Sequence, residues 1–231
     1  MTITPESDVP SAVRPTPPGD LFEAILADAV REPAGLRAIY PEPGEVARHK
    51  ELDHINEVSR RLIGCASLVL IATADAAGRC DVSPRGGPPG LVSVLDEHTL
   101  AIPDATGNKR LDSLHNILET GRIGLLFVIP GRDTTLRLNG RACVSTDPRL
   151  LEQLTPVGKP PLSAIVVRAE EVYPHCPKAF LRSAAWKPGK WLSSEDAPSS
   201  AQVTLSHLGI PGLTIEMVEQ AERESLLYRY E

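Results

Sequence analysis

From residue 67 to residue 173 the chain is a succession of short apolar runs of strand length, most of them separated by turn-forming residues. The runs fall at 67–73, 79–83, 91–95, 99–102, 122–130, 134–144 and 162–173. The first contains Leu68-Val69-Leu70-Ile71, apolar on both faces and so expected to be buried; the last is built on Ala164-Ile165-Val166-Val167. Asp75-Ala76-Ala77-Gly78 and Gly131-Arg132-Asp133 read as turns, and Pro84-Arg85-Gly86-Gly87-Pro88-Pro89-Gly90 as a rigid loop whose glycines let backbone approach a ligand. With few crossover helices between them, these strands predict a mainly β protein with flanking helices. Its sheet is expected to be a small antiparallel barrel of six to seven strands in meander order, not a doubly wound parallel sheet. No Gly-x-Gly-x-x-Gly follows a strand, so a Rossmann dinucleotide site has no support.

Helical patterns flank the strands. Asp20 with Glu23 resembles a capping box ahead of Leu21, Ile25 and Ala29, and the stripe Val46, Leu52, Ile55, Val58, Leu62 predicts one helix over 45–63. Asp147-Pro148 is a strong helix start, with Asp as N-cap and Pro in the first turn. A helix over 178–186 would carry Lys178, Arg182 and Trp186 on one face, either solvated or aimed at a ligand. Two further helices are expected over 201–208 and 213–227. Residues 1–19, with Pro5, Pro10, Pro15, Pro17 and Pro18, are expected to be a disordered tail. The organisation is thus a tail, N-terminal helices over 20–65, a barrel over 66–187, and a C-terminal loop and helices over 188–231 that pack on the barrel or on a partner.

The 231 residues, 42% of them hydrophobic, can bury a substantial core. A net charge of −6 argues against a broad basic face for nucleic acid or an anionic membrane. No apolar run approaches the roughly 20 residues that span a bilayer, and the N-terminus lacks the order of a signal peptide, so a cytoplasmic protein is expected. Cys65, Cys80, Cys143 and Cys176 form no close pair and have no His pair at zinc spacing; buried thiols are expected, and no metal.

The segment 99–141 carries the strongest chemical signal. Strand Thr99-Leu100-Ala101-Ile102-Pro103-Asp104 leads to Gly107-Asn108-Lys109-Arg110, and Leu111, Leu114, Ile117 and Leu118 then fit one helix face. Cations at a helix start oppose the macrodipole unless an anion joins them. Backbone N–H groups, an Asn amide and two cations suit a phosphate monoester. Spacing alone also leaves open that Lys109 and Arg110 are solvated loop charges. No Ser-His-Asp or Cys-His arrangement stands out, and no catalytic side chain is assigned.

The motifs Asp81-Val82-Ser83-Pro84-Arg85-Gly86, Pro89-Gly90-Leu91-Val92, Ile102-Pro103-Asp104 through Gly107-Asn108-Lys109-Arg110-Leu111-Asp112, Leu126-Phe127-Val128-Ile129-Pro130-Gly131 and Thr135-Leu136-Arg137-Leu138-Asn139-Gly140-Arg141-Ala142 resemble the pyridoxamine 5′-phosphate oxidase-related FMN-binding proteins. His175-Cys176-Pro177-Lys178-Ala179 with Arg182-Ser183 and Trp186 resembles a run seen in one bacterial branch of them. The resemblance implies an FMN-binding split β-barrel homodimer with the cofactor between subunits, serving as an FMN-dependent oxidoreductase on a small-molecule substrate or nicotinamide. A deazaflavin or haem in the same barrel, or a non-enzymatic flavin-binding or sensing protein, are the alternatives. It further implies that Asn108, Lys109 and Arg110 hold the FMN phosphate with Arg85 or Arg137 as an added cation. Ser83 and Thr135 would then line the ribityl chain or ring edge, and Lys178, Arg182 and Trp186 would flank the flavin. Two departures stand out: Ala105-Thr106 replaces an Arg-Pro pair common before Gly-Asn, and the chain closes with Leu226-Leu227-Tyr228-Arg229-Tyr230-Glu231 in place of Arg-Leu-x-Pro. Vitamin B6 oxidation is therefore not assigned.

Overall fold

The computed structural model describes residues 20–104, 108–154 and 161–229; the expected tail, residues 1–19, and Ala105-Thr106 lie outside them. The chain divides into two compact units, one up to Arg48 and one from His49 on. The first holds three short helices, α1 (Asp20–Leu26), α2 (Pro33–Ile39) and most of α3 (Glu45–His49). α2 was not anticipated: Pro33 sits in its first turn, where a missing N–H costs nothing.

The second unit runs α4 (Glu57–Cys65), β1 (Leu68–Ala74), β2 (Cys80–Gly86), β3 (Ser93–Val94), β4 (Thr99–Pro103), α5 (Asp112–Thr120), β5 (Arg122–Val128), β6 (Thr135–Ser145), α6 (Pro148–Gln153), β7 (Ala164–His175), α7 (Lys178–Ser183), α8 (Ser200–Leu208) and α9 (Ile215–Arg229). Its strands form one seven-stranded sheet in the order β2-β1-β5-β6-β7-β4-β3, and every neighbouring pair is antiparallel. Strand number and direction agree with the expectation; the meander does not. The pairs β1–β2 and β3–β4 are hairpins placed on opposite flanks of β5–β6–β7, so α5 must carry the chain from β4 on one flank to β5 on the other. β2 and β3 are the sheet edges and no ladder among the described residues joins them, so the sheet is not closed.

Strand alternation puts Val69, Ile71, Leu100, Ile102, Leu125, Phe127, Leu136, Leu138, Ile165 and Val167 into one core, with Ile63 of α4 and Leu114 and Ile117 of α5 packed in the same cluster. Burying a side chain of this kind contributes about 1.5–3 kcal/mol. The single helix expected over 45–63 is broken. Leu52 exchanges backbone hydrogen bonds of 3.0 and 2.7 Å with Val172, and the Ile55 N–H donates to the Glu97 carbonyl at 2.7 Å. Asn56 then caps α4, accepting from the Ser59 N–H at 2.8 Å. A bridged extended segment buries Ile55 as well as a helix would, and helical spacing could not tell the two apart.

Three other expectations change. β2 continues through Pro84-Arg85-Gly86, read from sequence as loop; an edge strand tolerates Pro84 because no ladder N–H is required of it. α7 stops at Ser183, with Ala184 left-handed at φ 52°, so Trp186 does not share a helix face with Lys178 and Arg182. All four cysteines are free and exposed, not buried. Cys143, for one, alternates with Ala142 and Val144, which take the core side of β6. The expected start of α6 is as read: Asp147 caps it by accepting from the Arg149 N–H at 2.9 Å. No helix among the described residues is long and apolar enough to cross a membrane.

At the bulge between Asn139 and Gly140 a Cβ on Gly140 would lie 2.0 Å from the Arg168 carbonyl oxygen. Gly140→Ala should therefore lower stability by more than about 2 kcal/mol, the range for forced overpacking. Gly64→Ala, in α4 with nothing within 4 Å, should raise it by up to about 1 kcal/mol. Urea unfolding midpoints of both variants check the contrast.

Candidate functional site

The path from β4 to α5 has an unusual backbone. Lys109 and Leu111 are both left-handed, at φ 62° and 61°, a conformation that costs a non-glycine residue roughly 1–2 kcal/mol. Asn108 holds the turn, its Oδ1 accepting from the Arg110 N–H at 3.0 Å. Leu111 occupies the N-cap of α5 and supplies no side-chain hydrogen bond, so the first-turn N–H groups have no side-chain acceptor there. Arg110 directly precedes the N-cap of α5 and Lys109 comes one residue earlier, so the cations sit at the helix start.

This turn borders a cavity of about 360 Å³ lined by Ser83, Pro84 and Arg85 of β2, Asp104 after β4, Asn108, Lys109, Arg110 and Leu111 of the turn, Asp112 and Ser113 of α5, and Leu162. Arg85 Nη1 lies 3.0 Å from Asp104 Oδ1, both side chains largely shielded from water, while Arg85 Nε is buried with no partner among the described residues. Arg110 Nε lies 2.8 Å from Asp112 Oδ2 at an exposed position. Lys109 has no ion pair among the described residues. Three cations thus face two carboxylates in the lining, beside an uncapped helix start. The hydroxyls of Ser83 and Ser113 donate to the same oxygen of Asp81, at 3.0 and 2.6 Å. Among the described residues, the donors left over are the Arg85 Nε–H, the Lys109 ammonium and the first-turn N–H groups. Donors without acceptors at a basic turn fit a phosphate-sized anion.

Five of the ten residues singled out from sequence, Ser83, Arg85, Asn108, Lys109 and Arg110, are brought together here. Thr135, Arg137, Lys178, Arg182 and Trp186 are not among the lining residues. Thr135 is 0% exposed with its hydroxyl unpartnered. On the same face of β6, Arg137 Nη1 donates to the Tyr173 hydroxyl at 3.2 Å, with its guanidinium 5.5 Å from the ring centroid. Lys50 Nζ lies 5.7 Å from the same centroid and donates to the Pro174 carbonyl at 2.7 Å. Lys178 and Arg182 are exposed on α7. Trp186 stacks on Phe180 at 5.7 Å and its indole N–H donates to the Arg132 carbonyl at 2.9 Å, which pins it beside the β5–β6 turn. Sequence reading missed Asp104 and Asp112. The short Arg110-x-Asp112 spacing could have revealed the second; the first is joined to Arg85 only by the fold.

Residues 55–176 match the sequence profile of the pyridoxamine 5′-phosphate oxidase family, more than half of the chain. The chain belongs to that family. All ten residues read as site candidates except Lys178, Arg182 and Trp186 fall inside the matched segment. No curated protein matches the chain. Among solved structures, HupZ of Group A Streptococcus is 21% identical, with 52% of this chain and 93% of that one covered at a TM-score of 0.44. A candidate pyridoxamine 5′-phosphate oxidase of Lactobacillus delbrueckii is 24% identical over 54% and 98% at 0.43. An FMN-binding protein of Syntrophomonas wolfei is 13% identical over 68% and 98% at 0.38. The structural overlaps are partial, and membership of the family rests on the sequence match.

His175 lies opposite Thr135 in the β6–β7 register. Burial, then the charges of Arg137 and Lys50, hold its imidazole below the ordinary 6.5. Because the folded value is the lower one, this group's contribution to stability is complete above pH 6.5 and is lost as pH falls from there through the folded value. NMR titration should show His175 titrating below 6.5, and Arg137→Gln should move it upward.

Proposed function

We propose that this chain is an FMN-dependent oxidoreductase that passes hydride or electrons between the flavin and a small organic substrate or reduced nicotinamide. The observation that carries the reading is the cavity at the start of α5, where Arg85, Lys109 and the first turn keep donors unmatched among the described residues. Family membership makes a flavin mononucleotide the natural anion for it. In this reading Asn108, Lys109 and Arg110 hold the phosphate, Arg85 contributes the Nε–H that the protein leaves unpaired, and Ser83 borders the ribityl chain. The flavin supplies the two-electron chemistry when bound, and no side chain is required as a covalent catalyst.

The remaining candidates enter through a homodimer. Leu68, Leu70 and Leu126 lie in adjacent strands on the face away from the core, and Val82 of the edge strand is 65% exposed. A second copy seated there, with the residues of 188–231 packed on the barrel or on that copy, would bring its Thr135, Arg137, Lys178, Arg182 and Trp186 toward the flavin. Trp186, held rigid by Phe180 and Arg132, is preorganised to flank a ring.

Purified protein should be yellow, absorbing near about 450 nm as bound flavins do. Lys109→Ala with Arg110→Ala should strip the colour while moving the unfolding midpoint little, since exposed charge changes usually shift stability by about 0.5 kcal/mol. Unchanged FMN affinity in that double variant would remove the phosphate assignment. Mass spectrometry of the released ligand separates FMN from a deazaflavin or haem. A flavin-loaded dimer inert with both reduced nicotinamides would leave a flavin-binding or sensing role in place of turnover.

A further inference from the structure

On the opposite side of the core from α5's first turn, the register sets three arginines in a line. Arg122 of β5 pairs with Arg141 of β6, Arg141 pairs with Arg168 of β7, and Arg168 pairs with Thr99 of β4. Like charges directly opposite one another on neighbouring strands are destabilising unless something neutralises them. Among the described residues one carboxylate serves the row: Glu170 Oε2 lies 2.6 Å from Arg122 Nη1 and Oε1 lies 2.9 Å from Arg141 Nε. Arg168 has no ion pair among the described residues. The row borders a cavity of about 580 Å³ that also takes in Thr99, Thr120 and Cys143 and shares no residue with the cavity beside Lys109. On a chain of net charge −6, three guanidinium groups against one carboxylate is a local inversion of sign.

We propose that this row is a second anion site, specific for an organic diphosphate. Two interstrand spacings, about 10 Å, separate the backbones of the outer arginines; Arg122 and Arg141 already share Glu170, and a bridged pair of phosphoryl groups offers one anionic centre to Arg168 and a second to its neighbours. Guanidinium groups present paired N–H donors suited to phosphoryl oxygens, and Arg168, with no ion pair among the described residues, is the one left to offer such a pair to a ligand. The proposal is independent of the flavin reading, since neither its residues nor its cavity overlap the first.

Cys143, two residues from Arg141 and exposed in this cavity, reports occupancy directly. In the full-length protein, inorganic pyrophosphate at ten times the Kd read from the protection curve should slow Cys143 alkylation by iodoacetamide about tenfold. Cys65 and Cys176, outside the cavity, should keep their rates. Arg168→Gln should abolish the protection with the unfolding midpoint retained, and Arg168→Lys should restore part of it. Equal slowing by sodium chloride at matched ionic strength, or by orthophosphate at the same concentration, overturns a diphosphate site. So does protection that persists in Arg168→Gln. Shielding of Cys143 without anion that grows with protein concentration overturns it too, because the row would then face a second copy of the chain.

Discussion

Because β4 is tied to β7 while the next strand in sequence is tied to β1, the chain has to cross the sheet between them, and α5 is what crosses. Four side-chain hydrogen bonds among the described residues fasten that helix to the β1–β2 hairpin, one of them accepted by Glu119 from the Ala76 N–H at 3.0 Å. Ser113 donates to Asp81 at 2.6 Å, Asn116 to the Thr73 hydroxyl at 3.0 Å, and Thr120 to the Ala74 carbonyl at 3.1 Å. Leu114 and Ile117 fill the core on its other side. With all of these in place the helix start can lie only beside β2, and that is why Ser83 and Arg85 border the same cavity as Lys109 and Arg110.

The electrostatics of that cavity follow from the same placement. Asp104 and Asp112 neutralise Arg85 and Arg110 within the chain, which keeps the largely shielded Arg85 from being an unpaired buried charge, a state that would cost several kcal/mol. The pairing is incomplete. Arg85 Nε, Lys109 and the first turn of α5 retain donors, and an anion that takes them adds to the existing ion pairs without having to displace them. A left-handed turn at Lys109 and Leu111 is tolerated because Asn108 and the helix hold both of its ends.

Across the sheet the charges are arranged differently. The arginine row gets its order from strand register, whereas the α5 cavity gets its order from a turn. Lys50, Tyr173 and Arg137 make a third cluster, whose two cations add to burial in holding the His175 imidazole below its ordinary value. An acidic chain thus carries several small positive sites in place of one broad basic face.

Strand number, antiparallel pairing, the Asp147-Pro148 helix start and the basic run at 108–110 were all legible in the residues, because each depends on interactions between close sequence neighbours: alternation, capping and turn chemistry. Strand order was not, since which hairpin pairs with which is settled by how one helix packs, and apolar periodicity says only that a face is buried. The break at residues 50–56 was hidden for the same reason, as the bridge to Val172 lies far along the chain. The resemblance in the motifs pointed to a cofactor family, yet only the folded chain separates the ten candidate residues into five around a cavity and five elsewhere. Arg85 meeting Asp104, and Arg168 meeting Arg141 with no carboxylate of its own, are products of tertiary pairing: charges so distant in sequence acquire their partners only once the sheet has its order.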